Sequence, residues 1–296
     1  MSEVLNKYDF SFQKKYGQNF LRDYKIPRRI AAECTEYERD GENKIPALIL
    51  EIGPGAGILT KELAAVFEKV IAVEIDRSLE PILAETLSGY DNIEVVFGDI
   101  METDVKALLG DRRKSGGADL PVSVCANLPY YITTPILTRL VEDCGIFDYI
   151  TVMVQKEVAL RLTSAPGSAD YGSITASMGL YGAFKRLFTV PSGCFYPRPK
   201  VDSAVVRLSM VRPEKYSDRE KKAAQQLIKA AFSVRRKTLV NALSGIVTCD
   251  KALLASIISD TLGYGENVRG ERLSSEDFVK MAKALEEYTI TGQPVE

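Results

Sequence analysis

The chain has 296 residues, of which 46% are hydrophobic and 26% are charged, and its formal net charge is −2. This composition is typical of a globular protein of about two domains, long enough to bury a large core without disulfide bonds or a structural metal. The sequence contains no histidine, which excludes a Ser-His-Asp or Cys-His triad, an H-E-x-x-H zinc site and a histidine general base. We therefore expect chemistry based on a cofactor, carboxylates, lysine, amides or backbone groups, and we expect no bound metal.

The sequence has no pattern typical of a membrane or secreted protein. It contains no apolar run of about 18 residues and no basic-then-apolar N-terminus. Its five cysteines are odd in number, scattered and never in a C-x-x-C pair, which leaves a disulfide framework and a zinc site without support. They are Cys34, Cys125, Cys144, Cys194 and Cys249. We interpret them as buried small hydrophobic residues in a reducing compartment, and we predict a cytoplasmic protein without a membrane partner.

Short apolar runs alternate with helical patterns along the first half of the chain. The first run, residues 47–52, lies between Pro46 and Gly53 and predicts a strand buried on both faces, as in a parallel sheet. Further strands are predicted at 70–75, 93–97, 122–126, 150–154 and 204–208, and helices at 26–34, 59–67, 79–87, 105–109 and 136–141. This alternation predicts right-handed βαβ units and a doubly wound, Rossmann-like α/β sheet.

The pattern changes near residue 213, where helical periodicity replaces the alternation. Ser217 with Glu220, and Ser274 with Asp277, are spaced as capping boxes. The apolar residues at helical spacing are Ala224, Leu227, Ile228 and Ala231, then Leu253, Ile257 and Ile258, and finally Phe278, Met281, Ala282 and Leu285. We therefore predict two domains, an α/β domain at residues 1–212 and a small all-helical domain at residues 213–296.

A glycine-rich segment follows the first predicted strand, at the edge where doubly wound sheets bind ligands. It spans residues 51–57 with the sequence E-I-G-P-G-A-G, and Gly53, Gly55 and Gly57 allow a tight turn close to a ligand. A dinucleotide fingerprint, G-x-G-x-x-G, requires a glycine where Ile58 stands. The G-x-G-x-G spacing favours S-adenosylmethionine over NAD, and a glycine-rich turn without a ligand is the alternative.

Acidic residues end the next two predicted strands. Glu74 is placed to accept hydrogen bonds from both hydroxyls of a ribose, although a helix N-cap is the alternative for this carboxylate. After the following strand, Asp99 is placed to accept a hydrogen bond from an adenine amine, and Ile100 to pack on the adenine ring. Together with the glycine-rich segment, these strand ends predict a binding site for S-adenosylmethionine.

The fourth predicted strand is followed by Asn127-Leu128-Pro129-Tyr130. This motif resembles the [N/D/S]-[P/I/L]-P-[Y/F] signature of methyltransferases that act on exocyclic amines, whereas a proline turn with a packed tyrosine is the alternative. The lone pair of an adenine N6 is delocalised into the ring, so N6 is a poor nucleophile. Acceptors at its hydrogens, here the Asn127 amide oxygen and the Leu128 carbonyl, favour tetrahedral nitrogen and align its lone pair. Tyr130 would stack on a base flipped out of its helix.

Several segments together extend the resemblance over nearly the whole chain. They are residues 16–21, 51–57, 127–130, 155–158, 171–172 and 195–204. They resemble the small-subunit (16S) ribosomal RNA adenine N6,N6-dimethyltransferase family of the KsgA type. The resemblance implies an enzyme that dimethylates two adjacent adenosines in a hairpin loop near the 3′ end of small-subunit rRNA, on a late 30S assembly intermediate.

The resemblance also implies roles for single residues. The positions that correspond to cofactor contacts are Asn19, Leu21, Gly53, Glu74, Asp99 and Asn127. By the same resemblance Phe195 forms a second aromatic wall for the target base, and core packing is the alternative for that ring. The helical domain is expected to contribute to binding of rRNA or the ribosome.

Local basic clusters must hold any RNA, because the net charge of the chain is only −2. They are Lys14 with Lys15, Arg28 with Arg29, residues 112–114, and Arg235 with Arg236 and Lys237. Each is either a phosphate-binding site or a solvated face. Residues 231–239 also resemble the C-terminal segment of the family, which makes the cluster at 235–237 the strongest RNA-binding candidate.

Three other interpretations stay open from the sequence. A 23S rRNA adenine N6-methylase of the macrolide-resistance type shares the glycine-rich loop and an N-x-P-[Y/F] motif. A non-catalytic ribosome-assembly protein would keep the fold without the reaction. A nicotinamide dehydrogenase is disfavoured by Ile58 and by the absence of a histidine acid/base. We expect a monomer.

Overall fold

A computed structural model describes residues 7–8, 10, 13, 17–38, 43–115, 118–141, 145–211, 215–234, 236–265 and 267–290. The chain forms two compact units. The first unit extends to Ala159 and resumes at Phe184–Met210, and the second comprises Leu160–Ala183 and the chain from Val211 onwards. We predicted that residues 1–212 form the α/β domain. The segment 160–183 falls within that range but groups with the helices of the second unit.

Hydrogen bonds explain why this segment belongs to the second unit. The Tyr171 hydroxyl donates to the carbonyl of Leu273 at 2.8 Å, and the Ser275 hydroxyl donates to the carbonyl of Ala176 at 2.7 Å. These bonds join residues 102 and 99 positions apart in the sequence. A pattern search along the chain does not detect such pairings.

The strands are numbered β1 to β11 in chain order. They are β1 Phe20–Leu21, β2 Ile45–Ile52, β3 Phe67–Glu74, β4 Ile93–Phe97, β5 Lys114–Ser115, β6 Ala118–Asp119, β7 Val122–Asn127, β8 Tyr149–Gln155, β9 Gly182–Val190, β10 Phe195–Tyr196 and β11 Ser203–Met210. Seven of them form the main sheet in the order β4-β3-β2-β7-β8-β11-β9. Neighbours from β4 to β8 are parallel, and β11 is antiparallel to β8. The predicted doubly wound α/β sheet is confirmed.

The helices are numbered α1 to α11 in the same way. They are α1 Lys25–Glu33, α2 Ile58–Val66, α3 Glu80–Leu87, α4 Val105–Leu109, α5 Thr133–Arg139, α6 Lys156–Leu162, α7 Ser173–Met178, α8 Asp218–Ser233, α9 Leu239–Leu243, α10 Lys251–Leu262 and α11 Ser275–Ala284. The predicted helices are present with small shifts at their ends. Phe67 begins β3 instead of ending α2, because its backbone is extended.

The strand β9 was not predicted. It is the last strand in the sheet order, so that it has only β11 beside it, and its central residues Lys185 and Arg186 are both exposed. Two neighbouring charged residues interrupt the apolar pattern that identified the central strands. By contrast, β2 is buried along almost its whole length, as expected for the centre of a parallel sheet.

Both predicted capping boxes are present in the second unit. Ser217 and Glu220 cap α8, and Ser274 and Asp277 cap α11. The apolar faces predicted for α8 and α11 are buried. On α10 the predicted Leu253 is instead exposed, and the neighbouring Leu254 faces the core.

The cysteines differ in their burial. Cys34 and Cys125 are fully buried, as predicted, whereas Cys194 and Cys249 are only half-buried. These four thiols are free, and Cys144 lies outside the described residues. None of the described helices is both long and apolar enough to cross a membrane.

Candidate active site

A cleft lies at the carboxyl ends of β2, β3 and β7, and it holds about 830 Å³ of empty space, part of it open to solvent. Its walls come from the segment before and within β1, the glycine-rich loop, the end of β3 and the turn after β7. The lining residues are Gly17 to Leu21, Glu51, Gly53 to Ala56, Ile58, Leu59, Glu74, Ile75 and Asn127 to Tyr130.

The glycine-rich loop forms one wall of the cleft, and three of its residues have a left-handed backbone. The φ angles are +71° at Gly53, +58° at Gly55 and +79° at Gly57, a region that residues with a Cβ rarely occupy. A Cβ on Gly55 would also lie 2.9 Å from the ring of Phe20. Glycine at position 55 therefore allows both the turn and the close packing of β1 against the loop.

Glu74 holds the glycine-rich loop from the neighbouring strand. Its carboxylate accepts hydrogen bonds from the amides of Gly55 at 3.0 Å and Asp76 at 2.8 Å. Burial raises the pKa of Glu74, and these amides partly oppose the shift. The following helical turn is capped by Asp76, which accepts from Ser78, so that Glu74 is not the N-cap considered from the sequence.

Glu51 was part of the predicted motif, but no role was assigned to it. Its side chain is fully buried at the base of the cleft, and its Oε2 has no hydrogen-bond partner among the described residues. Burial raises the pKa of Glu51 to about 8, the nearby Thr60 hydroxyl opposes this shift, and the nearby Glu74 adds to it. An unpaired buried carboxyl fits a cationic ligand, such as the ammonium group of S-adenosylmethionine, because a nearby positive charge favours its ionised form.

Ile75 is a second lining residue that the sequence did not single out. It follows Glu74 and remains 42% exposed in the cleft. An exposed apolar side chain beside a buried carboxylate is suited to pack on a purine whose ribose is bound by that carboxylate. The predicted strand end included Ile75, so the pattern gave no sign that its side chain leaves the core.

Asn127 ends β7 and faces the segment that precedes β1. Its Nδ2 donates to the carbonyl of Asn19 at 3.1 Å, and this bond orients the side-chain amide. The Gln18 amide in turn donates to Asp76 at 2.8 Å. The segment of Gly17 to Leu21 is thus held against the ends of both β3 and β7.

Tyr130 is also held in place, by a 2.7 Å hydrogen bond between its hydroxyl and Oγ of Ser203. The side chain is half-buried and lines the cleft, and burial raises its pKa. Leu128 and Pro129 complete the turn, where the Pro129 carbonyl accepts from the Thr133 hydroxyl at 3.2 Å. The four residues of the predicted motif therefore come together on one wall of the cleft.

Asp99, Ile100 and Gly57 do not line the cleft. Asp99 follows β4, one strand beyond Glu74, and accepts a hydrogen bond from the amide of Met101 at 2.8 Å. The Gly98 amide donates to the Glu74 carbonyl at 2.9 Å, which places Asp99 at the same edge of the sheet. Gly57 is the N-cap of α2.

Phe195 lies in the hydrophobic core and not in the cleft. It belongs to β10, opposite Leu21 of β1, and is only 2% exposed. This burial supports the alternative of core packing over the aromatic wall expected from the resemblance. The neighbouring Tyr196 is 50% exposed.

The structure describes only some residues of the predicted basic clusters. Lys14, Lys15 and Arg235 lie outside the described residues, whereas Arg236 and Lys237 are exposed just before α9. In the cluster at 112–114, Arg112 is paired with Glu94 at 2.7 Å. That contact gives Arg112 a structural partner.

Two exposed arginines in the second unit were missed from the sequence. The Leu239 amide donates to the carbonyl of Val268 at 2.7 Å, which joins the start of α9 to the loop that carries Arg269 and Arg272. Because these arginines stand alone in the sequence, no charge run identified them. The hydrogen bond joins the chain two residues after Lys237 to the residue just before Arg269.

In the main sheet β11, the last strand in the sequence, lies antiparallel beside β8. This sheet order and the glycine-rich cleft define a class I methyltransferase fold. The model of one family, ribosomal RNA adenine dimethylase, matches residues 9–287. The chain therefore belongs to the ribosomal RNA adenine dimethylase family.

Curated relatives share this assignment. The chain is 43% identical to the ribosomal RNA small subunit methyltransferase A of Lachnoclostridium phytofermentans over 290 residues, covering 96% of this chain and 95% of the relative. It is also 43% identical to the protein of the same name from Clostridioides difficile over 286 residues, covering 96% and 94%.

Two solved structures have the same fold at 25% sequence identity. A dimethyladenosine transferase from Plasmodium falciparum matches with a TM-score of 0.69 and covers 88% of this chain and 95% of its own. The 23S rRNA methyltransferase ErmE matches with a TM-score of 0.67 and covers 90% of this chain and 99% of its own.

Proposed function

We propose that this protein transfers methyl groups from S-adenosylmethionine to N6 of two adjacent adenosines in a hairpin loop near the 3′ end of small-subunit (16S) rRNA. The product is N6,N6-dimethyladenosine. The observation that carries the proposal is the position of Asn127, which ends a central strand beside the glycine-rich loop with its amide oriented by the carbonyl of Asn19.

The chain positions the acceptor amine and needs no side-chain base. With its Nδ2 bound to Asn19, the Asn127 amide presents Oδ1 as an acceptor for one hydrogen of N6, and the carbonyl of Leu128 accepts the other. These acceptors favour tetrahedral nitrogen and direct its lone pair at the methyl group that S-adenosylmethionine supplies. The bond between N6 and the methyl group would form as the sulfur–methyl bond breaks, which leaves S-adenosylhomocysteine as the second product, and the proton then leaves N6 for water. Pro129 shapes the turn, and Tyr130 stacks on the flipped base.

The cofactor is held along the ends of β2, β3 and β4. Glu74 binds the ribose hydroxyls, Asp99 the adenine amine, and Ile100 packs near the ring. The remaining predicted contacts line the cleft or shape its glycine-rich loop, and Glu51 accepts from the ammonium group. Those contacts are Asn19, Leu21, Gly53, Gly55, Gly57 and Asn127.

The choice of the small-subunit substrate is supported by the relatives at 43% identity, whose names give the small subunit. The structural matches do not decide between substrates, because a 23S rRNA methyltransferase and a dimethyladenosine transferase have nearly equal TM-scores. The partner in our proposal is a 30S assembly intermediate in the cytoplasm, bound by a monomer. Arg236 and Lys237, with Lys14, Lys15 and Arg235 in the sequence, supply phosphate contacts.

The test is incubation of the protein with tritiated S-adenosylmethionine and 30S subunits from a strain that lacks this methylation, followed by nucleoside analysis. We expect labelled N6,N6-dimethyladenosine in the small-subunit RNA. Label only in protein-free 23S RNA would identify a macrolide-resistance type of methylase instead. No label in either RNA would favour a non-catalytic assembly protein.

A further inference from the structure

The short strands β1 and β10 form a two-stranded ribbon at the edge of the cleft. Phe20 pairs with Tyr196, and Leu21 pairs with Phe195. Residues directly opposite each other in an antiparallel pair have their side chains on the same face. One face therefore carries Leu21 and Phe195, which are buried in one core cluster, and the other carries Phe20, which is buried in a second cluster, and Tyr196, which is exposed.

The face of the ribbon that carries Phe20 and Tyr196 continues the wall of the cleft. Phe20 lines the cleft beside Gly55, whereas Tyr196, its partner in the ribbon, is 50% exposed. The residue before Phe20 is Asn19, whose carbonyl binds the amide of Asn127. Tyr196 thus lies opposite Phe20, the direct neighbour of the residue whose carbonyl orients Asn127.

Arg22 adds a positive charge to the same face. Its amide donates to the carbonyl of Cys194 at 2.8 Å, and its guanidinium lies 5.6 Å from the centre of the Tyr196 ring. The Arg22 side chain is exposed. An exposed tyrosine beside an exposed arginine combines a surface for base stacking with a cation for phosphate.

We propose that Tyr196 and Arg22 bind a single-stranded nucleotide that flanks the target adenosine, with its base stacked on Tyr196 and its phosphate paired with Arg22. The inference rests on the proposed function, because it names a positioning site for the same RNA. The ribbon register turns the Phe195 ring into the core and the neighbouring Tyr196 ring towards solvent. The two residues position RNA and do not touch the transferred methyl group.

Two measurements on the full chain test this site. The first is the affinity for a short fluorescein-labelled oligoadenylate, read by fluorescence anisotropy. The second is the KM and kcat for 30S subunits that lack the methylation. We expect Tyr196→Ala to weaken oligonucleotide binding and to raise KM by about fivefold or more, because base stacking on an aromatic side chain contributes strongly to single-strand binding. Arg22→Ala should weaken binding and reduce its salt dependence.

Matched variants separate stacking from general damage. Tyr196→Phe keeps the ring, so its oligonucleotide affinity and its KM for 30S subunits should both match those of the wild type. Tyr90→Ala removes an exposed tyrosine just before β4, at the amino ends of the parallel strands and so at the opposite edge of the sheet, and should behave as wild type. Calorimetric affinity for S-adenosylmethionine and kcat should stay within about twofold in every variant, the range expected for surface substitutions.

The outcomes distinguish this site from the proposed function. If Tyr196→Ala binds the oligonucleotide as wild type does, or if Tyr196→Phe is as weak as Tyr196→Ala, the stacking site is wrong. If the wild type binds the oligonucleotide through Tyr196 but leaves 30S subunits unmethylated, the proposed reaction fails while the stacking site stands. If Tyr196→Ala does not fold, Arg22→Ala decides through the same binding assay, and wild-type affinity with an unchanged salt dependence in that variant would overturn the site.

Discussion

The side chain of Asn127 links two distant parts of the chain through a single amide. Its donor is bound to the carbonyl of Asn19, 108 residues earlier, so its acceptor is presented to the cleft in one orientation. A side chain fixed in this way needs no reorganisation when an amine arrives. In the proposed mechanism, this fixed acceptor takes the place of a histidine base, which the chain lacks, by positioning a weakly nucleophilic nitrogen for methylation.

Asn127→Ala is expected to abolish methylation of 30S subunits and to change calorimetric affinity for S-adenosylmethionine by at most about tenfold, because one hydrogen bond contributes only ~1 kcal/mol net. Asn92→Ala is the control, since the Asn92 amide binds the carbonyls of Ala64 and Phe67. That variant should lose stability and keep its turnover. Wild-type turnover in Asn127→Ala would exclude the positioning mechanism.

Glu51 makes the stability of the fold depend on pH. The pKa of its carboxyl is about 8 in the folded protein because the side chain is fully buried, well above the ordinary value of about 4.3 in an unfolded chain. At pH values between these two pKa values, the folded state therefore holds a proton that the unfolded state has lost. The stability contributed by the protonated form is fully present below the lower value and is lost as the pH rises through about 8.

Urea unfolding at several pH values measures this effect. Between about pH 5 and 8 the wild type should lose stability by up to ~1.4 kcal/mol per pH unit relative to Glu51→Gln, which stays neutral. The two proteins should have similar stability at low pH, where both side chains are uncharged. Parallel pH profiles for the two proteins would show that the Glu51 carboxyl does not titrate in this range.

The glycine-rich loop depends on both local and distant contacts. Its positive φ angles are a local property that the G-x-G-x-G pattern predicts. Its contact with Phe20 is tertiary, because Phe20 belongs to β1, which pairs with β10 in another part of the chain. The loop and the ribbon are thus one structural unit, and a change in either should affect the other.

A double-mutant cycle tests this coupling. Gly55→Ala should destabilise the protein by about 1–3 kcal/mol in urea unfolding, since the new Cβ lies 2.9 Å from the Phe20 ring. Gly53→Ala imposes a similar backbone strain, but no described atom beyond its chain neighbours lies within 4 Å of its Cβ. It should cost less. In a Phe20→Leu background the two substitutions should have similar costs, and an unchanged difference would disprove the contact.

The cleft and the exposed basic residues lie in different compact units. The first unit carries the cleft, and the second carries Arg236, Lys237, Arg269 and Arg272 on exposed positions. With a net charge of −2, the whole molecule offers no general attraction to RNA. Binding in the proposed function therefore depends on a few local cations, which makes it sensitive to salt.

Replacement of Arg235, Arg236 and Lys237 by alanine should weaken binding to 30S subunits at low salt. The slope of log K against log salt should become shallower by about 2 to 3, because each lost phosphate contact removes a little under one unit. Lys251→Ala, an exposed lysine at the start of α10, is the control and should keep the wild-type slope. An unaltered slope in the triple variant would mean that the cluster is only a solvated face.

Local patterns were sufficient to predict the strands β2, β3, β4, β7 and β8, the glycine-rich loop, the two capping boxes and the positions of Glu74 and Asn127. Each of these depends on residues close in sequence, and the carboxyl ends of parallel strands meet at one edge of the sheet. The grouping of segment 160–183 with the helices, the edge strand β9 and the opposite orientations of Phe195 and Tyr196 depend on pairing between residues far apart in sequence. Periodicity reports only which residues alternate, whereas strand register decides which of two neighbouring rings enters the core.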